Sequence, residues 1–211
     1  MNRTWLVVGC AAWIGCSAPE EAKKAPQKKM EVRSETAPAV FKVNLDTTKG
    51  PVVVEVHRDW APHGVDHFYN LIQTGYFDGN RIYRVTQRYA QFGVNSDPKV
   101  TGLWSMARIP DDPPKQSNVK GTLSYAQEGA GTRTTQLFFN LQDNKALDKD
   151  KFAPIGKVIS GMETVDRFYS GYGDWPPRGN GPDPAKVQAE GNSYLEAKFP
   201  RLDVIRKATI Q

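Results

Sequence analysis

Short runs in which apolar and polar residues alternate are the feature that most limits how this chain can fold. Residues 41–45 form one such run and residues 52–56 a second, with Gly50 in the turn between them. A period of two residues places every second side chain on the same face of an extended strand, so this pair of runs predicts a β-hairpin. The 211 residues include 18 glycines and 15 prolines, and such frequent turn residues favour short elements over long helices.

Further segments rich in β-branched and aromatic residues predict more short strands. They cover residues 81–85, 89–94, 121–126, 136–140, 154–160 and, at the carboxyl terminus, 205–209. Two segments show helical spacing instead: residues 61–75, with Pro62 in the first turn and Gly75 at the end, and residues 162–169. We therefore expect a mainly β fold, a closed antiparallel β-barrel of about eight strands with two helices, because closure removes the exposed edges of such strands.

The amino terminus has the pattern of an export signal. Arg3 supplies a positive charge, residues 4–14 are mostly apolar, and small residues surround Cys16. This order resembles a bacterial lipoprotein signal, in which the cysteine is lipidated and becomes the first residue of the mature protein. Cys10 also fits the cleavage pattern, but cleavage there would leave an apolar segment too short for export, so Cys16 is the predicted lipidation site.

Residues 17–40 have the composition of a linker. They contain no aromatic residue, mix lysines with glutamates and include three prolines, so they cannot bury enough apolar surface to fold. The predicted organisation is a signal peptide at residues 1–15, the lipidated cysteine and a flexible linker at residues 16–40, and one domain at residues 41–211.

This organisation predicts a protein of the cell envelope that is anchored by lipid and faces the periplasm. The residue after the predicted lipidation site is Ser17. Many bacterial lipoproteins that stay at the inner membrane carry aspartate there instead. Where the cell has both membranes, Ser17 therefore favours the outer one.

Several other kinds of site are disfavoured by composition. Apart from Cys10 and Cys16 the chain has no cysteine, which excludes a disulfide-stapled domain and a cysteine-ligated metal site. The net charge of +5 is mild and spread along the chain, so no nucleic-acid partner is predicted. His63 and His67 lie four residues apart in the first predicted helix without a third ligand nearby, so no metal site is predicted, and His67 is expected to cap a surface turn.

Three segments of the chain, in fixed order, carry a family resemblance. They read APHGVDHFYNLIQTGYFDGNRIYRV, GTLSYAQEGAGTRTTQLFFNL and LDKDKFAPIGKVISGMETVDRFY. They are similar to the first helix with its arginine-bearing strand, the central segment, and the pocket-leucine segment of the cyclophilin-type peptidyl-prolyl cis-trans isomerases. The resemblance covers residues 41–171 and the last strand. Two long loops are predicted, at residues 95–120 and 172–202. The tail at residues 179–210 resembles the extended C-terminal loop of a bacterial subset of that family.

The resemblance implies an enzyme that catalyses rotation about X–Pro bonds in exported, proline-containing polypeptides without a cofactor or metal; we expect a monomer. The barrier to that rotation is about 18–20 kcal/mol, because the C–N bond has partial double-bond character. A catalyst must favour the twisted amide, whose prolyl nitrogen regains its lone pair. A guanidinium beside that nitrogen stabilises this transition state selectively, while an apolar pocket holds the proline ring.

By resemblance, Arg84 is the catalytic arginine and Gln91 is its glutamine companion. The other predicted site residues bind substrate. The resemblance assigns Phe138 to the floor of the proline pocket, Leu147 to the pocket wall, Phe152 to the rim where the family usually has His or Tyr, and Ala126, Gln127 and Gln136 to the groove that holds the substrate backbone.

The stretch after Arg84 departs from the family pattern. RVTQRYAQF is one residue shorter than the usual run and lacks its Pro-Gly pair. Counted from Arg84, Tyr89 matches the pocket phenylalanine; counted back from Gln91, it matches the apolar position two residues before the glutamine. Phe92 replaces Gln91 if the gap lies elsewhere. Arg84 favours the isomerase, whereas the altered stretch favours an alternative, a low-turnover binding module or chaperone for proline-containing segments.

Overall fold

A computed structural model describes Met1 and residues 34–211 of the chain. The predicted signal peptide beyond Met1, the predicted lipidation site Cys16 and the linker as far as residue 33 lie outside the described residues.

The predicted hairpin is confirmed. Strand β1 (Val40–Thr47) pairs antiparallel with β2 (Gly50–His57) in a register that sets Leu45 opposite Val52. Gly50 has a φ of +126°, a conformation that L side chains rarely adopt, which explains the glycine in this turn. The alternating apolar side chains are buried on one face, and this face forms one wall of the core.

Seven further strands complete a single antiparallel sheet of nine strands in the described part of the chain. They are β3 (Asn80–Arg81), β4 (Arg84–Val85), β5 (Tyr89–Phe92), β6 (Thr122–Tyr125), β7 (Leu137–Asn140), β8 (Pro154–Ser160) and β9 (Val204–Ile210). The order across the sheet is β3-β9-β1-β2-β8-β6-β7-β5-β4. The expectation of a mainly β, antiparallel fold is therefore confirmed, with nine strands in place of about eight.

The sheet is curled, and its two ends meet in one stretch of chain. Strand β3 pairs with β9, while β4 pairs with β5. Between them, the Ile82 N–H donates to the Asp203 carbonyl at 2.9 Å and the Tyr83 N–H donates to the Gln91 carbonyl at 3.1 Å. The two ends of the sheet are thus joined by a stretch of chain that changes partners at residues 82 and 83, and not by a hydrogen-bonded ladder. The predicted closed barrel is corrected in this respect, because no ladder joins β3 to β4.

Six helices, where two were predicted, lie within the described residues. They are α1 (Pro62–Thr74), α2 (Pro98–Ser105), α3 (Ala146–Lys149), α4 (Met162–Val165), α5 (Pro184–Glu190) and α6 (Asn192–Lys198). Helix α1 matches its prediction and ends at Gly75 in the left-handed conformation. Helix α4 covers the first half of the second predicted helix, residues 162–169. The other four have eight residues or fewer, too few turns for a clear helical period. In the part of the chain that the structure covers, no helix has both the length and the apolar character to cross a membrane.

Two apolar clusters hold these elements together. The larger cluster fills the space between the sheet and α1, and it includes Val54, Phe68 and Leu123, all fully buried. The smaller cluster joins the C-terminal helices to the chain around β4 and β5; its buried members are Tyr83, Val94, Val187, Leu195 and Leu202. The second cluster fixes the long C-terminal loop beside the strand that carries Arg84.

Packed structure begins before residue 41, the predicted start of the domain. Val40 already belongs to β1. The Ala37 N–H donates to Asp66 Oδ1 and the Glu35 N–H donates to Asn70 Oδ1, both at 2.9 Å. The Asn70 amide in turn donates to the Glu35 carbonyl at 2.8 Å. Residues 35–40 are therefore attached to helix α1.

We expect a fragment of residues 34–211 to be more stable than one of residues 41–211 by about 1–3 kcal/mol, because the shorter fragment loses the bonds of Glu35 and Ala37 to α1 and leaves the buried Asn70 Oδ1 without its donor. Urea unfolding followed by circular dichroism measures the difference. A fragment starting at residue 38 should behave like the shorter one. Equal midpoints for all three fragments would contradict the prediction.

His67 is not at the surface, so its expected role as the cap of a surface turn is wrong. Its side chain is buried in α1 and packs edge-on against Trp104, with 5.4 Å between ring centroids. Within Met1 and residues 34–211, its Nε2 has no hydrogen-bond partner. Burial, together with the charge of Arg133, lowers the pKa of His67 to about 4. The folded protein therefore keeps this imidazole neutral at pH values where the unfolded chain protonates it.

This difference predicts a loss of stability in acid. Between pH 6.5 and 4 the unfolded chain binds a proton at His67 that the folded protein does not, so the free energy of unfolding should fall by about 3 kcal/mol as the pH decreases. Urea unfolding at several pH values tests this. His67→Gln should flatten the dependence in that window. His63→Gln, at an exposed position on the same helix, should leave it unchanged; equal slopes in both variants would refute the assignment.

Candidate active site

Arg84 lies in strand β4, directly after residues 82 and 83, where the chain passes from one end of the sheet to the other. The register of β4 and β5 sets it directly opposite Gln91. Its side chain lines a cleft of about 630 Å³ on the outside of the sheet near the ends of β5, β6 and β7. The fold thereby brings a cation into a cleft although the residue itself is only 8% exposed.

All nine predicted site residues line this one cleft. They are Arg84, Tyr89, Gln91, Ala126, Gln127, Gln136, Phe138, Leu147 and Phe152. They come from four strands or strand ends and from the loop that contains α3, and they span 69 positions of sequence from Arg84 to Phe152, both ends included. The cleft thus gathers them into one site, while their individual roles stay predictions.

The guanidinium of Arg84 is held at each of its nitrogens. Nη1 donates to Gln91 Oε1 at 3.0 Å, Nη2 donates to the Tyr89 hydroxyl at 2.6 Å, and Nε donates to Asp174 Oδ1 at 2.7 Å. The guanidinium carbon also lies 3.5 Å from the centroid of the Trp175 ring. Because arginine carries five N–H donors, these bonds leave one N–H on each terminal nitrogen.

The geometry separates Gln91 from its alternative, Phe92. Gln91 faces the cleft and bonds to Arg84, whereas Phe92 is fully buried in the core and stacks on Phe139 at 5.5 Å. Neighbouring residues of a strand point to opposite faces, so only one of them can reach the cleft. Tyr89, two residues before Gln91, shares its face and contacts both Arg84 and Phe138.

A polar chain runs along the cleft beside Arg84. Gln91 Nε2 donates to the Tyr83 hydroxyl at 2.8 Å and to Gln136 Oε1 at 3.1 Å. The Tyr83 hydroxyl itself donates to Gln136 Oε1. Burial raises the pKa of Tyr83 far above its usual range, so the hydroxyl stays neutral and keeps its donor. These bonds fix the orientation of both glutamines.

The opposite part of the cleft is apolar. The Phe138 ring lies 5.7 Å from the Tyr89 ring and 5.9 Å from the Phe152 ring, and its residue is only 5% exposed. Leu147 begins the turn that leads to Phe152, whose N–H donates to the Leu147 carbonyl at 3.2 Å. Three aromatic rings and a leucine thus surround a space suited to a small apolar ring.

A buried asparagine and an aspartate hold this wall in place. Asn118 Nδ2 donates to the Phe152 carbonyl and to Asp148 Oδ1, each at 2.8 Å. Burial alone would raise the pKa of Asp148, but hydrogen bonds from Ser117 and Asn118 lower it overall. Asp148 therefore stays ionised, and the loop between α3 and β8 is tied to residues 117 and 118. No sequence pattern indicated this support.

At the far end of the cleft lie Ala126 and Gln127, just after β6. The Ala126 N–H donates to the Gln136 carbonyl at 2.9 Å, which continues the pairing of β6 with the chain before β7. Gln127 Nε2 donates to the Asp150 carbonyl at 2.9 Å, while its Oε1 has no partner among the described residues. These residues join the groove to the loop that carries the apolar wall.

The main site residues that sequence analysis missed come from the long C-terminal loop. Trp175, Arg178, Pro184 and Gln188 line the cleft, and Asp174 bonds to Arg84. The segment between β5 and β6, which contains α2, adds Ser105 and Arg108 to the lining. The one signal was the cluster of an acid, an aromatic and a base in DWPPR. No periodic pattern connects that cluster to a strand some ninety positions earlier in the sequence.

Chemically, the cleft joins a fixed cation to an apolar pocket. Such a site can hold an apolar ring and stabilise electron density on an atom beside it, since a preorganised charged donor acts strongly where water is excluded. It does not depend on a nucleophile. Among the described residues, no group of three His, Cys, Asp or Glu side chains is placed to bind a metal ion.

Comparison with known proteins identifies relatives. The family model described as cyclophilin type peptidyl-prolyl cis-trans isomerase/CLD matches residues 41–181. Peptidyl-prolyl cis-trans isomerase-like 1 of Rhizopus delemar is 33% identical over 132 residues, which cover 60% of this chain and 78% of that protein. A peptidyl-prolyl cis-trans isomerase of Acinetobacter baylyi is 26% identical over 132 residues, with 60% and 70% of the two chains covered.

Solved structures agree on the fold. A cyclophilin type peptidyl-prolyl cis-trans isomerase of Cryptosporidium parvum superposes with a TM-score of 0.58 at 20% identity, over 82% of this chain and 98% of that one. A cyclophilin from Hirschia baltica gives a TM-score of 0.55 at 14% identity, over 83% and 75% of the two chains. With the family model covering more than half of the sequence, this chain belongs to the cyclophilin-type peptidyl-prolyl cis-trans isomerase family.

Proposed function

We propose that this protein catalyses cis-trans rotation about X–Pro bonds in exported polypeptides, as a monomer held in the cell envelope by lipid on Cys16. The observation that carries the catalytic part is the fixed guanidinium of Arg84 beside the pocket of Phe138, with Tyr89 in contact with both. A proline ring in that pocket brings its nitrogen towards the free N–H groups of Arg84. These groups then stabilise the lone pair that appears in the twisted amide.

The apolar wall and the polar chain bind different parts of the substrate. Phe138, Leu147 and Phe152 hold the proline ring away from water, which favours the less polar twisted amide. Gln91 holds Gln136 in place through its Nε2, and the Gln136 amide binds the substrate backbone. The Cryptosporidium parvum relative was also solved in the presence of the dipeptide Ala-Pro, and a ligand of that chemistry suits the cleft described here.

A second candidate is a binding module that grips proline-containing segments with little turnover. The observation in its favour is that three hydrogen bonds and a stacked indole already occupy Arg84. The two candidates differ in turnover and not in binding. A protein that binds X–Pro peptides without accelerating their isomerisation would establish the second.

We expect Arg84→Ala to lower kcat and kcat/KM together by about a hundredfold or more, because the interaction with the lone pair exists mainly in the transition state. Arg84→Lys should not restore activity, since an ammonium lacks the planar fork that keeps all three partners. Isomerisation of a short X–Pro peptide measures both variants. Arg81→Ala is the matched control, because Arg81 lies three residues away in the same stretch but pairs with Glu196.

Phe138→Ala completes this comparison. It should weaken binding of proline peptides and lower stability, because it opens the pocket towards the core, whereas Arg84→Ala should spare binding. Near wild-type turnover in a folded Arg84→Ala variant would overturn the mechanistic assignment.

We expect Cys16→Ser to release the protein from the membrane fraction, because a single lipidated cysteine provides the proposed anchor. Fractionation of cells and mass analysis of the mature amino terminus test this. Cys10→Ser is the matched control and should leave the protein lipidated and in the membrane fraction. If Cys10→Ser releases the protein and Cys16→Ser does not, the anchor is at Cys10; if neither does, anchoring by these cysteines is refuted.

A further inference from the structure

The long C-terminal loop places a carboxylate directly on Arg84. Asp174 Oδ1 accepts the Nε–H of Arg84 at 2.7 Å, and the two side chains are only 16% and 9% exposed. The next residue, Trp175, stacks its ring on the guanidinium, with 3.5 Å between the ring centroid and the guanidinium carbon. Trp175 lines the cleft, whereas Asp174 does not. Asp174 can therefore act on a substrate in the cleft only through the lining residues that it contacts, which are Arg84, Trp175 and Arg178.

Asp174 is itself held from several directions. Its Oδ2 forms an ion pair with Arg178, whose Nε lies 3.0 Å away, and its Oδ1 also accepts the Trp175 N–H at 2.8 Å. Its main-chain carbonyl accepts the Gly181 N–H at 2.8 Å. A Cβ on Gly179 would lie 2.3 Å from that same carbonyl oxygen, so the loop closes tightly around this residue. The carboxylate is consequently a fixed point and not a mobile surface group.

Such a fixed point matters because an arginine side chain is long and flexible. Gln91 and Tyr89 hold the two terminal nitrogens of Arg84. With these two bonds alone, the guanidinium plane can still tilt about the line that joins the two partners. The third bond, at Nε, together with the Trp175 ring, fixes that plane. The remaining N–H groups then point in one direction before substrate binds, and such preorganisation is what makes an electrostatic donor effective.

We propose that Asp174 is a positioning residue of the isomerase, which fixes the guanidinium of Arg84 in the orientation that serves the prolyl nitrogen. This inference rests on the function proposed above. It assigns a catalytic purpose to the C-terminal loop, which supplies both Asp174 and the stacked Trp175.

The charge state of Asp174 agrees with this role. Burial by itself would raise the pKa of its carboxyl, but the hydrogen bonds from Arg84 and from the Trp175 N–H, with the charges of Arg84 and Arg178, lower it overall. The carboxylate is therefore ionised at neutral pH. A carboxylate on the guanidinium could also oppose catalysis by offsetting its charge, and the experiment separates these two effects by the sign of the change.

The test compares Asp174→Ala and Asp174→Asn with wild type in the full chain. Asp174→Ala should lower kcat by about 10–100-fold with KM changed by less than about threefold, since it misaligns the donor without touching the substrate groove. Asp174→Asn should recover most of the loss, because its amide oxygen can still accept the Nε–H. An increase in kcat in Asp174→Ala, or no change, would overturn the proposal.

Asp66→Ala is the matched control. Asp66 forms the same kind of bond with Arg58, whose Nε donates to Asp66 Oδ1 at 2.7 Å, but neither residue lines the cleft. Asp66→Ala should lower stability and leave kcat unchanged. An equal loss of kcat in both variants would attribute the effect to stability and refute positioning.

A second measurement does not depend on activity. The Nε–H proton of Arg84, assigned in NMR spectra by its disappearance in Arg84→Lys, should exchange slowly with solvent in wild type and Asp174→Asn and quickly in Asp174→Ala. If wild type shows no isomerase activity, the proposed function fails, while this exchange pattern still reports whether Asp174 fixes the guanidinium. Fast exchange in wild type would overturn the positioning role even in an active enzyme.

Discussion

Both the fold and the site depend on residues 80–85. This stretch contains β3 and β4, the strands at the two opposite ends of the sheet. Its first half bonds to β9 and its second half to β5, with the change at residues 82 and 83. A strand that exchanges partners this way must turn its side chains relative to the sheet on either side. Arg84 comes directly after the change of partners. The stretch that joins the two ends of the sheet therefore also places the Arg84 guanidinium in the cleft.

Strands β4 and β5 pair with Arg84 opposite Gln91 and Val85 opposite Ala90. Because only a few residues connect these pairs, the connection between the two strands is a tight turn. The Thr86 N–H donates to the Tyr89 carbonyl at 3.0 Å, and the Thr86 hydroxyl accepts the N–H groups of Arg88 and Tyr89. This threonine turn replaces the expected Pro-Gly connection and keeps Gln91 opposite Arg84. With this turn, Gln91 lies opposite Arg84 and Tyr89 lines the cleft.

The sequence predicted the parts of this structure that repeat or that match a family in order. The hairpin and helix α1 follow from periods of two and of 3.6 residues, and the nine cleft residues follow from the family resemblance. Asp174 and Trp175 could not be found this way, because their contact with Arg84 depends on how a loop without periodicity folds back. His67 was misjudged for a related reason: its burial on α1 depends on Trp104, which comes from residues 95–120, a segment whose sequence predicts a long loop.

The burial of Arg84 has two opposite effects, one on catalysis and one on stability. A guanidinium stabilises a developing lone pair best where water is excluded, because the local dielectric is then low. The same exclusion makes an unpaired buried cation costly, so it needs a partner that does not occupy the groups used in catalysis. Asp174 meets both conditions, since it bonds at Nε and leaves an N–H on each terminal nitrogen. The C-terminal loop, anchored through the cluster around Tyr83 and Val187, thus allows the arginine to be both buried and available.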